Sequence, residues 1–506
     1  MHKLFNKTAL ALALCSAFYT YEASADNSIA LSHIEFATTG NILKLPYLSQ
    51  IADKYKGRNI DAYMLQNILQ EVTDYYRENG YPSSRAYLPE QSIGTDGVLL
   101  VDIVYTKISD INLNIDSKFL ARGTSKMLFK HLKSLRHSDV HTNDLQKELL
   151  KLSDLGAFDI KASMQEDADD LSHAVIDVDI KERKKFTGAL MADNYGSKSV
   201  GEYRFMGYTT ISNLTQHADS LSVFLATTQK NYKNYNINYE IPVNSYKTVL
   251  GLGSCYSHYE LSDEYEFLDA KGSSLTGEIF LKQPLLRSFD TKADIFVGYR
   301  YRDIKDEFGL FDIEFKKHSH AIYASVAGSH KFTDNLSGSA TGKFTFGRLY
   351  SDDEYDMAFD DKFIIFNTTA NINYRINDYV SAISSFEAQM ASVSLDASES
   401  FTISGAEAVA AYKSNKAAGD YGYILRCGMQ FNPIKDSSLS LTPNLSYGHS
   451  GYKGFAQTTS LKGLGLDADY SYKGFFTKVQ AAAALGNKTK ADDSALLWVR
   501  FGYSFI

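Results

Sequence analysis

The residue types that most often carry chemistry are thinly spread in this chain. His131, His137 and His141 fall close together, and His318 and His320 flank one serine. A metal site would need helical i, i+4 spacing on one face or a carboxylate partner beside it, and both groups read as solvated surface. Asp352, Asp353, Glu354, Asp356, Asp360 and Asp361 crowd one segment. Carboxylates at that density could hold calcium, but the spacing lacks the EF-hand order, so a hydrated outer loop is the better reading. No G-x-S-x-G, H-E-x-x-H, P-loop or Cys-x-x-Cys occurs, so neither a nucleophile with its base nor a phosphate cradle is advertised. The chain reads as no enzyme, with no cofactor and no bound metal. Its net charge of -8 supplies no basic footprint for nucleic acid.

The elements that must position any site are strands. In the last segment Leu497, Val499, Phe501, Tyr503 and Phe505 share one parity, and Trp498, Arg500, Gly502 and Ser504 the other. Side chains alternate faces along a strand, so this one has an apolar face and a mostly polar face. The alternation recurs in sixteen candidate strands between Phe186 and Ile506, an even number that lets an antiparallel barrel close with both chain ends on one side. Short turns such as Val243–Ser245, Thr333–Asn335 and Ile376–Asp378 alternate with longer segments. That predicts periplasmic turns and extracellular loops. Tyr (35) and Phe (30) are abundant and Pro (7) is scarce, a bias toward strands. The fold class is therefore mainly β: a 16-stranded antiparallel transmembrane barrel over residues 186–506. Parity puts Cys255 on the lumen face and Cys427 on the lipid face, too far apart in direction for a disulfide.

Met1 to Ala25 reads as a signal peptide: Lys3 and Lys7 precede the apolar run Thr8 to Phe18, and Ala23-Ser24-Ala25 is an A-x-A cleavage site. Between it and the barrel the order strand, helix, helix, strand, strand occurs twice, over 32–106 and 107–183. Ile60 to Asn79 is the most distinct helix, with Tyr63, Ile68, Val72, Tyr75 and Tyr76 as its stripe and Gly80 as its C-terminal stop. A small sheet covered on one face leaves an edge whose free N–H and C=O groups can accept an extended segment.

These repeats resemble POTRA domains. Gly80-Tyr81-Pro82, followed by Leu88-Pro89 and Gln91, is similar to the signature in the first POTRA domain of the TpsB transporters of two-partner secretion, within the Omp85 superfamily, and the resemblance implies that this motif binds the client. Asp193-Asn194-Tyr195-Gly196 is similar to that family's opening barrel segment. The insertion Ser392 to Asp420, between the eleventh and twelfth strands, corresponds to a loop that folds back into the lumen in that family. Gly405, Asp420 and Gly422 look like its flanks.

The resemblance implies an outer-membrane transporter whose POTRA domains capture an unfolded exoprotein, a large secreted TpsA-like client, in the periplasm. It further implies contact with outer-membrane lipids and lipopolysaccharide, and assembly by the barrel-assembly machinery with periplasmic chaperones. An Omp85-type insertase is the alternative. The loop tip departs from the family pattern. Where relatives carry V-R-G-[YF], this chain reads Val409-Ala410-Ala411-Tyr412, and the wall position that would hold a matching aspartate is Ser446. Losing both charges is tolerable where losing one is not, so the loop is expected to enter the barrel on other contacts. Relatives also place a plug helix before the first POTRA domain, and the six residues before Ser32 leave no room for one after cleavage.

Overall fold

The computed structural model describes residues 30–38, 47–81, 84–94, 96–104, 107–116, 118–138, 141–167, 173–351, 361–434, 438–486 and 495–505. The expected signal peptide, Pro82 and the acidic residues Asp352 to Asp360 lie outside them. Contacts divide the chain into two compact units, one drawn mainly from residues up to Lys181 and one mainly from Glu182 onward.

The described residues up to Glu182 form two small α/β modules. The front module consists of β1 His33–Thr38, α1 Leu48–Tyr55, α2 Ala62–Glu78, β2 Arg85–Tyr87 and β3 Val98–Val104, with sheet order β1-β3-β2. Helix α2 starts where the Asp61 carboxylate accepts the Met64 N–H at 2.7 Å, an N-cap bond. Its buried stripe is Met64, Ile68, Val72 and Tyr76, four residues apart and so stacked on one face. Tyr63, expected on that stripe, is 75% exposed, because it stands one position out of phase. The stripe packs on Leu99, Val101 and Ile103, the buried parity of β3.

The second module follows the same order: β4 Lys107–Ile115, α3 Arg122–Leu128, α4 Lys130–Lys133, α5 Thr142–Ser153, β5 Phe158–Glu166 and β6 His173–Glu182, with sheet order β4-β6-β5. The first helical stretch of this module is split into two short helices, α3 and α4. Asp116 accepts the Lys118 N–H at 2.9 Å, a side-chain turn that delays the helix start.

The second unit is the barrel. Its strands are β7 Phe186–Asp193, β8 Arg204–Ser212, β9 Ser220–Thr228, β10 Lys233–Pro242, β11 Val249–Glu260, β12 Ala270–Arg287, β13 Thr291–Phe308 and β14 Ile313–Lys331. Then come β15 Leu336–Ser351, β16 Lys362–Arg375 and β17 Val380–Ala391. The short pair β18 Phe401–Thr402 and β19 Ala418–Gly419 lies in the long insertion, and β20 Tyr421–Phe431, β21 Leu439–Gly451, β22 Thr458–Tyr472, β23 Phe475–Ala484 and β24 Leu496–Phe505 complete the wall. Sixteen of these strands form one closed antiparallel sheet in sequence order, with β24 returning to β7. The longest connections, 194–203, 261–269, 352–361, 392–420 and 485–495, fall at one end, opposite tight turns such as 332–335.

The period-two pattern decides which face is which. In β24, Leu497 and Phe501 are 58% and 60% exposed while Trp498 is 5% exposed. Leu225, Ile237, Leu252, Val297, Ile322 and Phe346 continue the exposed apolar face around the wall. Water-soluble proteins rarely expose contiguous apolar area beyond a few hundred Å², and an apolar belt around a closed barrel is a lipid-facing surface. Near its outer border Tyr299 bonds His320 and the His318 ring stacks on Tyr350 at 5.0 Å, an interfacial aromatic girdle. No helix of the described residues is long and apolar enough to cross a membrane. Cys255 and Cys427 are both free. Cys427 is exposed on the parity of Tyr423 and Met429.

Candidate functional site

The long insertion is folded into the barrel. Val409, Ala410, Ala411 and Tyr412 are all buried, in a cluster with Tyr195, Ile403, Ile424, Leu461 and Trp498. Since Ile424, Leu461 and Trp498 are lumen-facing residues of β20, β22 and β24, the tip lies inside. The Trp498 indole N–H donates to the Ala410 carbonyl at 2.7 Å, and the Arg426 guanidinium donates to the Ala408 carbonyl. A Cβ on Gly463 would stand 2.9 Å from that of Ala411, and one on Gly448 would stand 2.9 Å from the Val409 side chain. Two wall glycines thus make the hollow in which the tip rests. Ser446 is buried nearby and donates to the Gly463 carbonyl at 3.4 Å, within the wall rather than to the tip.

The flanks of the loop are tied down separately. Asp420 is fully buried, and its carboxylate accepts the Leu395 N–H at 3.1 Å and the Lys453 N–H at 2.7 Å. Gly405 has φ +115°, a conformation that favours glycine. Gly422, beside Phe401 and the His449 carbonyl, has no room for a side chain. The base of the loop crosses to the far wall. Glu399 pairs with Arg300 at 2.5 Å and Arg302 at 3.1 Å, and Asp396 pairs with Lys317 at 2.8 Å. The charges missing from the tip are therefore replaced by carbonyl acceptors there and by ion pairs at the base.

The segment that opens the barrel also closes it. Asp193 is buried and accepts both Arg204 of β8, at 2.7 and 2.9 Å, and Arg500 of β24, at 2.9 Å. Arg500 extends to Glu407 of the loop at 2.8 Å. Beyond the last β7–β24 pair, Arg500↔Asp193, the Asn194 side chain takes over. Its amide donates to the Leu497 carbonyl at 2.9 Å and accepts the Val499 N–H at 2.7 Å. It serves as one further residue of the ladder. Gly196 packs directly on the Gly201 backbone, so any side chain there would break the turn.

In the front module, Gly80 and Tyr81 end α2. Gly80 (φ +95°) donates to the Arg77 carbonyl and Tyr81 to the Tyr76 carbonyl at 3.0 Å, the paired bonds of a Schellman stop. The same two residues meet the second module. Thr142 N–H donates to the Gly80 carbonyl at 2.9 Å, and the Tyr81 ring lies edge-on to His141 at 5.0 Å. Leu88 packs on the core. The Gln91 amide accepts the Leu100 N–H at 2.8 Å and donates to the Leu100 carbonyl at 2.7 Å, with a longer bond to the Pro89 carbonyl. Like Asn194, it substitutes for a strand residue, here where three-residue β2 has run out.

The sequence reading did not single out Arg300, Arg302, Lys317, Arg426 or Arg500 as loop anchors. One signal for the anchors was present: Trp498, the chain's one tryptophan, falls on the polar parity of β24. A large indole facing a lumen needs an N–H acceptor.

A closed sixteen-stranded membrane barrel with an anchored loop in its lumen, in a chain that also folds two small α/β modules, marks a barrel protein of the bacterial outer membrane. Residues 172–469 match the family described as "Haemolysin secretion/activation protein ShlB/FhaC/HecB", and residues 29–105 match "POTRA domain, ShlB-type". The chain belongs to the haemolysin secretion/activation family. It is an outer-membrane transporter of a two-partner secretion system, with its POTRA modules in the periplasm. It is 23% identical over 533 residues to the "Heme/hemopexin transporter protein HuxB" of Haemophilus influenzae, covering 98% of this chain and 90% of that protein. It is 21% identical over 390 residues to the "Outer membrane transporter CdiB" of Dickeya dadantii, covering 74% and 67%. Its fold is similar to that of CdiB from Escherichia coli (TM-score 0.75, 18% identity, 96% of this chain and 92% of that one). BamA from Haemophilus ducreyi lacking POTRA domains 1–3 is more distant (TM-score 0.55, 13% identity, 94% of this chain and 100% of that one).

Proposed function

We propose that the two modules, taken as 32–106 and 107–183, capture an extended segment of one large secreted exoprotein by strand addition and pass it to the barrel, which carries it outward without enzymatic chemistry. The edges of the two sheets support this reading. In the front sheet β2 is three residues long, and its Ala86 N–H donates to Thr73 Oγ1 of α2 at 3.0 Å. Gln91 occupies the next stretch of β3. That side is closed by its own chain, and the motif Gly80, Tyr81, Leu88, Pro89 and Gln91 shapes it. In the second sheet β5 is a nine-residue edge strand, long enough to template an added segment. Lipids and lipopolysaccharide surround the apolar belt, and periplasmic chaperones with the barrel-assembly machinery deliver the newly made chain.

Ala162→Pro and Ser163→Pro, each tested in the full chain, remove an N–H from one side or the other of β5. One of the two should abolish export of the exoprotein while the barrel still folds. Normal export by both variants would overturn capture at this edge.

A further inference from the structure

The loop does not fill the barrel evenly. Its base reaches β13 and β14, and its tip lies on β20, β22 and β24. A cavity of about 410 Å³ separates it from the outer ends of β8 to β10, with Arg204, Thr228 and Tyr232 on the wall side and Thr402, Gly405 and Asn415 on the loop side.

The wall below this gap has an unusual composition. β10 turns Asn234, Asn236 and Asn238 inward while Tyr235 and Ile237 are exposed on the outer face. Its neighbours add Ser222, Phe224 and Ala226, from β9, and Gly253, Cys255 and Ser257, from β11. The Asn234 amide donates to Ser257 at 2.8 Å and the Asn238 amide to Asn236 at 2.9 Å. From Asn234 to Asn238 no inward-facing residue of β9, β10 or β11 carries a formal charge. The first to do so is Glu240, neutralised by Lys282 at 3.1 Å. The wall that carries the loop's base is the opposite in kind, with Arg300, Arg302 and Lys317 engaged by loop carboxylates.

We propose that this neutral asparagine wall is the rail along which the extended polypeptide crosses, its ligand being the main-chain amides of the client. Inward side chains of a strand repeat every two residues, about 6.6 Å. An extended client repeats its outward N–H and C=O groups at the same spacing. Each asparagine offers two donors and an acceptor, so the contact is indifferent to client sequence. A charged wall would hold oppositely charged client residues, and a conducting path must bind weakly enough to release. The inference rests on the reading that the client crosses in extended form.

Cys255 provides the reporter. In the full chain in lipid vesicles, Cys427→Ser leaves Cys255 as the cysteine of the barrel. The probe is an unfolded Ser/Asn-rich peptide whose one cysteine is disulfide-linked to thionitrobenzoate. The Cys255 thiolate attacks the peptide sulfur, the new disulfide forms, and coloured thionitrobenzoate leaves with the electron pair of the broken bond. The reference protein is Cys255→Ser, Cys427→Ser, Thr341→Cys, with its thiol on β15, and each rate is divided by that for the small symmetric disulfide of thionitrobenzoate. We expect a several-fold higher ratio at Cys255, lowered several-fold by Asn236→Leu with no change for the small reagent. An equal or higher ratio at Thr341→Cys, or indifference to Asn236→Leu, overturns the rail. Reaction of both thiols with the small reagent and of neither with the peptide overturns extended crossing itself.

Discussion

Asn194 gives the sharpest stability prediction, because one side chain completes the closing seam. Asn194→Leu removes two hydrogen bonds, of 2.9 and 2.7 Å, and leaves the Leu497 carbonyl and the Val499 N–H without those partners in the wall. The bond to Leu497 is exposed and that from Val499 half-buried; each such bond contributes about 0.5–1.5 kcal/mol net, so the substitution should destabilise the closed barrel by about 1–3 kcal/mol. Asn194→Asp keeps the acceptor for Val499 and loses the donor to Leu497, and should fall between. The assay is the temperature at which the barrel loses its compact electrophoretic mobility in detergent. We expect wild type highest, Asp intermediate and Leu lowest. If Leu and wild type convert at the same temperature, Asn194 does not carry the seam and the pseudo-strand argument is wrong.

Gly80→Ala forces a side chain into φ +95° and against the His141 ring at 3.0 Å. It should cost about 1–2 kcal/mol and expose the junction of the two modules to limited proteolysis, with barrel mobility unchanged. Gly463→Val fills the hollow under Ala411 and Val409 and should expel the tip. Single-channel conductance in planar bilayers should rise while the heat-dependent mobility shift persists, and an unchanged conductance would refute the cradle. Tyr76 is buried in the front module, and burial pushes its phenol up to about 12. Its raised folded value means that its contribution is full below the ordinary tyrosine range and is lost as pH climbs through about 12. The Tyr76 hydroxyl meets no hydrogen-bond partner among the described residues, so Tyr76→Phe should be neutral or mildly stabilising and should blunt that alkaline loss, read as resistance of the front module to proteolysis against pH.

Wall and modules were legible because they are written locally. Alternation every two residues names all sixteen barrel strands, and a stripe every four names α2, although one step of phase put Tyr63 where Met64 stands. The site was legible only in outline. The insertion stands out by length, and its lost arginine and aspartate point to other anchors without naming them. Those anchors join residues far apart in sequence: Glu399 meets Arg300, and Trp498 meets Ala410. No local period encodes such pairs, because they arise from how strands line up once the sheet has closed. The strand-extending roles of Asn194 and Gln91 were hidden for a different reason. A side-chain amide that imitates backbone is visible only against the partner strand it extends.

The most direct test of the central claim follows one exoprotein and the other outer-membrane proteins in the same cells after loss of this chain. A transporter predicts that the exoprotein disappears from the medium while the amounts of the other barrels stay constant. Continued export of the exoprotein with a general fall in outer-membrane barrels would contradict it and assign the chain to barrel assembly instead.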